Sequence, residues 1–401
     1  MNQKNTWLIA AFLFIAVLGQ GLAAQESILN SYQRNFTRAE LSAKAGILQD
    51  AAADHRASEF IGELYEFAMN FILRNARQFQ RDSDITTLLT ISVRGAADAG
   101  YTASVNTLRQ MFNVYRDTQS RTAVLGALGV LGKGNAQVIN ELKQFLADQN
   151  NLFLSDLEIN QDTFLACISA LGSLGDNSSF PLLFPVLFAG YPDDIIAAVE
   201  KALGNLYGDS YQFIIDVVQR NPVREKLAAF RIGRRTDNFS RFSPVQRGTL
   251  AETALDIGLS LKPNTDADEA AASALMAGAA AVLGELKWSR AASLLVKYFY
   301  RAQAEYQNGR ISGEQFLGAV TILGAMGSAE AAQALALQLG YFNSRMERRG
   351  DFDETLTLGV VNTLGEIGAK IAFDYLLYIN YLPYPESIQV AARDALGRLK
   401  W

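Results

Sequence analysis

Histidine and cysteine are almost absent from this chain: His55 and Cys167 are the only ones among 401 residues. A zinc site of ordinary His/Cys composition cannot be assembled from them, since it needs three or four such ligands. A histidine-based triad would rest on His55 alone, which reads as a surface helical residue between Asp54 and Arg56, and no Gly-x-Ser-x-Gly elbow is present. A lone cysteine forms no internal disulfide, and the apolar run Phe164-Leu165-Ala166-Cys167-Ile168 marks Cys167 as core. Proline is scarce too, at eight residues, which argues against a Pro-rich linker or a turn-dense all-β chain. Basic charge is short: 36 Lys and Arg against 41 Asp and Glu leave a net −5, a poor match to nucleic acid, whose binding rests on phosphate neutralisation.

Two stretches superficially suggest ligand loops. Gly126 to Gly134 contains Gly132-Lys133, but the spacing misses a phosphate-binding loop by one residue and Gly134 stands where a hydroxyl should hold magnesium. Asn264 to Glu269 is acidic enough for calcium, yet lacks the glycine that an EF-hand loop turns on, and reads as a linker capping a helix that begins near Glu269. A site built from carboxylates alone is not legible in one sequence, because paired acids are too common. No catalytic, cofactor-binding or metal-ligating residue is assigned, and the expectation is a protein that is not an enzyme.

What is present begins with an N-terminal leader. Lys4 precedes an unbroken apolar run from Trp7 to Leu18, and Leu22-Ala23-Ala24 offers a small-residue cleavage site. Twelve residues rise about 18 Å as a helix, short of the roughly 30 Å hydrocarbon core, so a cleaved signal is favoured over an anchor. No later stretch is long and apolar enough to span a bilayer. Residues 1–24 are read as a signal peptide and the mature protein as periplasmic or secreted.

Hydrophobic residues make up 49% of the chain, enough for an extensive core. A phrase then recurs: Leu128-Gly129-Val130-Leu131-Gly132, Leu171-Gly172-Ser173-Leu174-Gly175, Leu203-Gly204-Asn205-Leu206, Leu283-Gly284-Glu285-Leu286, Leu323-Gly324-Ala325-Met326-Gly327, Leu364-Gly365-Glu366-Ile367-Gly368 and Leu396-Gly397-Arg398-Leu399. The first glycines lie 43, 32, 80, 40, 41 and 32 residues apart, a period near 40 with one double interval. The double interval holds a weaker copy at Phe230-Arg231-Ile232-Gly233, and a degenerate one precedes the series at Ala96 to Gly100. Glycine in a helix costs about 1 kcal/mol relative to alanine, so its recurrence implies close approach of another helix. The second glycine suits a left-handed helix cap. Pro192-Asp193-Asp194, Pro385-Glu386-Ser387 and Pro222-Val223-Arg224-Glu225 read as helix starts.

The proline-acidic entry, the Leu-Gly-x-Leu-Gly phrase, and Asp176 or Asp209 opening the inter-helix turn together resemble HEAT repeats, of the short kind found in bacterial proteins and in phycobilisome lyases. The resemblance covers about residues 82–401. It implies an all-α, right-handed superhelical α-solenoid of about nine HEAT-like helical hairpins. The family's arginine early in the first helix has candidates only at Arg121 and Arg224. Residues 25–81 form an irregular helical segment and cap, and a degenerate, insertion-bearing unit occupies 223–264.

Such folds offer long surfaces to other proteins, so the expected function is a non-catalytic scaffold of the cell envelope with a protein partner. A glycan- or peptidoglycan-binding solenoid is the alternative, favoured if tyrosines are exposed, and a lyase-type small-molecule chaperone is a third. The candidate contact is Arg224, Arg231, Arg234, Arg235, Arg241, Phe242 and Arg247, a basic cluster with Lys226 and interleaved Phe230 and Phe239, of the composition found at interface hot spots. A second irregular stretch, Tyr341 to Phe352, extends a helix beyond the repeat norm, with a parallel at Tyr298 to Tyr306. Tyr375, Tyr378, Tyr381 and Tyr384, three residues apart, are read as one inter-repeat packing stripe. The chain reaches Leu399 one helix into a unit, which leaves homo-oligomer formation through that edge open. Intact-mass analysis of the exported protein is expected to place Gln25 at its amino terminus; a retained Met1–Ala24 segment would refute cleavage.

Overall fold

The structure is a computed structural model that describes residues 28–79, 82–206, 210–234 and 242–400; the leader lies outside them. Helices account for the regular elements, and a parallel bridge ties Ala369 to Lys400. The fold divides between Ser210 and Tyr211 into two compact units.

Each unit is built of two alternating helix types. In the first unit, Leu41–Ala53, Ser83–Asp98, Thr118–Leu131, Gln161–Leu174 and Asp193–Asn205 pack each on the next as a layer of first helices. The second helices, Ile61–Arg74, Val105–Val114, Ala136–Leu154 and the short Phe180–Leu183 with its 3-10 extension Phe184–Phe188, form the other layer. In the second unit the first helices are Val223–Arg234, Asp266–Glu285, Gly313–Gly324, Glu354–Ile367 and Glu386–Gly397. Their partners are Tyr211–Arg220, Pro244–Ser260, Ala292–Gln307, Ala329–Arg349 and Phe373–Tyr378. Ten first helices thus stand among the described residues, and the chain is an all-α solenoid. The segment read as irregular at the N-terminus contains an ordinary pair, Leu41–Ala53 and Ile61–Arg74, that lacks the Leu-Gly phrase. The weak copy at Gly233 likewise ends a full first helix.

The repeated glycine is where consecutive first helices touch. A Cβ on Gly129 would lie 2.8 Å from Ala170 Cα, and one on Gly172 would lie 2.7 Å from Ala202 Cα. Both neighbours are backbone atoms and cannot rotate away. The second glycine caps in the left-handed region at Gly175 and Gly368, with φ of 72° and 69°. Gly132 differs: its φ is −82°, and Gly134 takes the left-handed turn two residues later. Helix starts follow the sequence closely. Asp117, Asn160 and Asp353 accept hydrogen bonds from the backbone N–H of Ser120, Thr163 and Leu356, contacts that typically contribute about 1 kcal/mol each. Pro192 and Pro385 stand at the cap, one residue before the helix rather than within its first turn. The acidic Asn264–Glu269 stretch enters a helix that begins at Asp266, with the Thr265 hydroxyl accepting from Asp268 N–H.

The fourth residue of several first helices closes the preceding connection. Arg121 Nε donates to Tyr115 O at 3.2 Å, with its guanidinium 4.9 Å from the Phe112 ring centroid and 5.1 Å from that of Phe145. Gln389 Nε2 donates to Tyr384 O at 3.0 Å. Lys226 Nζ donates to Val218 O at 2.6 Å, and Lys44 Nζ bonds Phe36 O while lying 4.6 Å and 4.7 Å from the Phe36 and Phe71 ring centroids. Both lysines are buried, and burial lowers their pKa. Arg121 therefore fills the early-arginine position, whereas in the Val223–Arg234 helix that place belongs to Lys226 and not Arg224.

The tyrosine stripe separates. The α-helix stops at Tyr378, a 3-10 turn runs through Tyr381, and the backbone is extended at Leu382, so a spacing of three no longer holds one face as far as Tyr384. Tyr375 lies against Gly340, Tyr378 donates to Glu347 Oε1 at 2.8 Å, Tyr381 is 75% exposed, and Tyr384 is buried. Cys167 is in the core, where burial pushes its thiol pKa well above the ordinary value. At the last first helix, Leu399 is buried and Lys400 N–H donates to Gly368 O at 2.8 Å; Trp401 lies outside the described residues.

One helix contains the test of the glycine seam. Gly126 has open space where a Cβ would be, three residues before crowded Gly129. Gly126→Ala is expected to raise stability by about 0.5–1 kcal/mol through helix propensity. Gly129→Ala is expected to lower it by about 1–3 kcal/mol through overpacking. Urea denaturation of both variants checks the difference in sign.

Candidate interaction surfaces

The basic cluster read from the sequence is divided by the fold. Arg224, Arg231 and Arg234 lie on one first helix and are exposed. Arg224 Nε pairs with Asp268 Oδ1 of the next first helix at 3.0 Å. Arg234 lies 5.9 Å from the Phe230 ring centroid and reaches over Gly278, where an added Cβ would be 3.1 Å from its Nη1. Arg235, Arg241 and Phe239 lie outside the described residues. Phe230 and Phe242 are buried, the latter edge-on to Tyr211 at 5.6 Å, and Arg247 is half-buried on Pro244–Ser260. Phe230 and Phe242 are therefore core, while Arg224 and Arg234 reach across the seam to the next first helix. Within the unit read as degenerate and insertion-bearing, Val223–Arg234 and Pro244–Ser260 are the two helices of a repeat, and residues 235–241 lie outside the described residues.

The first-helix layers carry two grooves that the sequence reading missed. In the first unit a groove of about 740 Å³ crosses Ser83–Asp98, Thr118–Leu131 and Gln161–Leu174. Its floor comes from one face of the central helix: Gln119, Thr122, Ala123, Gly126, Ala127 and Val130, at helical spacing. Val130 is 59% exposed, and Leu165 and Ala166 form an apolar wall. Arg94, Asp98 and Asp162 supply a charged rim. In the second unit a groove of about 480 Å³ lies between Asp266–Glu285 and Gly313–Gly324. Ala270, Ser273, Ala274 and Ala277 face Gln315, Gly318, Ala319 and Ile322 across it. Tyr298 and the Arg301–Glu305 pair, 2.9 Å apart, close one side.

Gly126 and Gly318 share a property. Each is inside a helix, has negative φ, and has nothing within 4 Å of where a Cβ would stand. The fold does not require either glycine, yet each lines a groove floor. Gly46 shares the property but lies outside both grooves.

Other chemistry is sparse. Among the described residues no cluster of three His, Cys, Asp or Glu side chains is arranged to hold a metal, and no helix is long and apolar enough to cross a membrane. His55 is exposed; its neighbour Asp54 is held well below the usual carboxylate range by hydrogen bonds from Arg56 and, secondarily, Tyr32.

In comparison with known proteins, no family model matches the chain and no curated protein matches it. Solved structures that align include a chain from work on a conserved phosphorylation switch controlling the interaction between cadherin and beta-catenin. It shares 13% identity over 96% of each chain, with a TM-score of 0.35.

The two cations on the Val223–Arg234 helix separate structural from surface roles. Lys226→Ala removes the donor from a buried carbonyl and is expected to destabilise by about 1–3 kcal/mol. Arg224→Ala breaks an exposed pair and is expected to change stability by less than about 1 kcal/mol. Thermal melts of the two variants distinguish these roles.

Proposed function

We propose that this protein is a non-catalytic, HEAT-like scaffold of the cell envelope that binds an apolar segment of a protein partner in its first-helix grooves. The observation that carries the reading is the groove glycine. Gly126 and Gly318 each weaken a helix by about 1 kcal/mol relative to alanine with no packing return. Placing the smallest residue on the floor keeps each groove open for an incoming side chain or backbone. A largely apolar floor with a few charges at the rim is the usual make-up of a peptide groove. The leader of residues 1–24 supports export, and the scarcity of histidine and cysteine supports binding rather than catalysis. Arg234, exposed and reaching Gly278 on the second groove's first helix, would favour a partner segment bearing acidic residues.

The experiment blocks the grooves without disturbing the seam. Gly126→Arg and Gly318→Arg place long side chains across the floors where open space stands, so folding is retained. Cross-linking and capture from the native envelope with the mature chain is expected to recover a defined protein partner with the parent and to lose it with the double variant. Equal recovery by both, at matched melting temperature, would overturn the groove assignment.

A further inference from the structure

A separate cavity of about 640 Å³ lies on the second-helix layer of the second unit, between the last turns of Ala292–Gln307 and Ala329–Arg349. Its residues recur at helical spacing on both sides. Gln303, Tyr306 and Gln307 come from one helix, and Gln338, Tyr341, Arg345, Arg348 and Arg349 from one face of the other. The extension of Ala329–Arg349 to 21 residues, ended by left-handed Gly350, is what supplies the three arginines. All charged lining groups are arginines. Arg345 is paired with Asp351, while Arg348 and Arg349 have no hydrogen-bond or ion-pair partner among the described residues.

Three further features describe a ligand. Gln338 is only 2% exposed, and its Oε1 accepts from Gln303 Nε2. This amide pair makes the inner part of the lining polar. The Tyr341 ring is 40% exposed, under the Arg345 guanidinium at 5.9 Å, and offers a flat apolar face. Tyr306 is fixed by stacking on Phe316 at 5.2 Å, so the wall is preformed. A purely acidic peptide would need the charge but not the planar amides. A pyranose needs both kinds of surface: C–H faces against an aromatic ring, and hydroxyls in the plane of amide donors and acceptors.

We propose that this cavity binds a carboxylated oligosaccharide, with Tyr341 stacking on a sugar ring, Gln303 and Gln338 bonding its hydroxyls, and Arg348 and Arg349 taking the carboxylates. Guanidinium groups pair with carboxylates in a two-pronged geometry that a chloride ion does not reproduce. The volume falls within the roughly 300–1,000 Å³ of small-molecule sites and admits two or three sugar units. The site shares the helix Ala292–Gln307 with the second groove but takes different residues from it, Gln303, Tyr306 and Gln307.

The test is calorimetric titration of the mature chain with trigalacturonate, cellotriose and triglutamate at low salt, paired with saturation-transfer NMR on the sugars. Trigalacturonate is expected to bind saturably, and cellotriose and triglutamate each about tenfold more weakly or less. Arg348→Gln/Arg349→Gln and Tyr341→Ala each reduce trigalacturonate binding about tenfold at unchanged melting temperature, and saturation transfer reaches the sugar ring protons in the parent. Absence of saturable trigalacturonate binding overturns the proposal. So does equal binding of triglutamate, which would mean charge alone, or equal binding by the variants. Loss of the protein partner in the groove variants bears on none of these outcomes.

Discussion

Backbone-to-backbone approach between successive first helices is the constraint on which this molecule depends. At Gly129 and Gly172 the next helix comes so near that a single methyl group would overlap a Cα. Such proximity brings the flanking aliphatics, among them Leu128, Leu131, Leu171 and Leu174, into one continuous buried layer. A helical glycine is intrinsically unfavourable by about 1 kcal/mol, and what offsets it is the apolar area buried along the whole seam. Because each repeat meets only its neighbours, the same solution is used again with Gly365 against Ala395.

A second device fixes the connection into each first helix. Arg121, Lys226, Lys44 and Gln389 reach back from the fourth helical position to a carbonyl that ends the preceding helix or turn. The chemistry differs, from guanidinium to ammonium to amide, but each satisfies an acceptor that the helix itself leaves open. Two of these groups are desolvated lysines, which is tolerable because carbonyl oxygens, and at Lys44 two aromatic faces, replace lost water. With seams and connections held this way, the outward faces of the first helices are relieved of structural work. Small residues there leave depressions, and the two grooves follow from that.

Local signals carried most of the architecture. The Leu-Gly phrase is visible because each copy solves the same contact, and it located the first helices even at the degenerate Gly233. It did not announce Leu41–Ala53, which enters the layer through other side chains. The tyrosine stripe misled because a period of three was assumed to continue to Tyr384, past the end of the helical backbone at Leu382. Arg224 and Lys226 look alike on paper; only their burial, two residues apart on a helix, separates a surface pair from a buried cap. The basic cluster was partly legible, as charge, while Phe230 and Phe242 were drawn in by the core.

The sequence by itself determined the helical repeat, its period, its caps and its poverty in catalytic groups, because these depend on residues within a few positions of one another. Tertiary structure alone decided which glycines are crowded and which are open, since Gly126 and Gly129 differ only in what an adjacent repeat places beside them. It alone decided that Gln303 and Gln338, 35 residues apart, share a cavity with Tyr341, Arg348 and Arg349. Surfaces formed between repeats depend on the distance and rotation between helices, and those quantities are written in no single stretch of the chain.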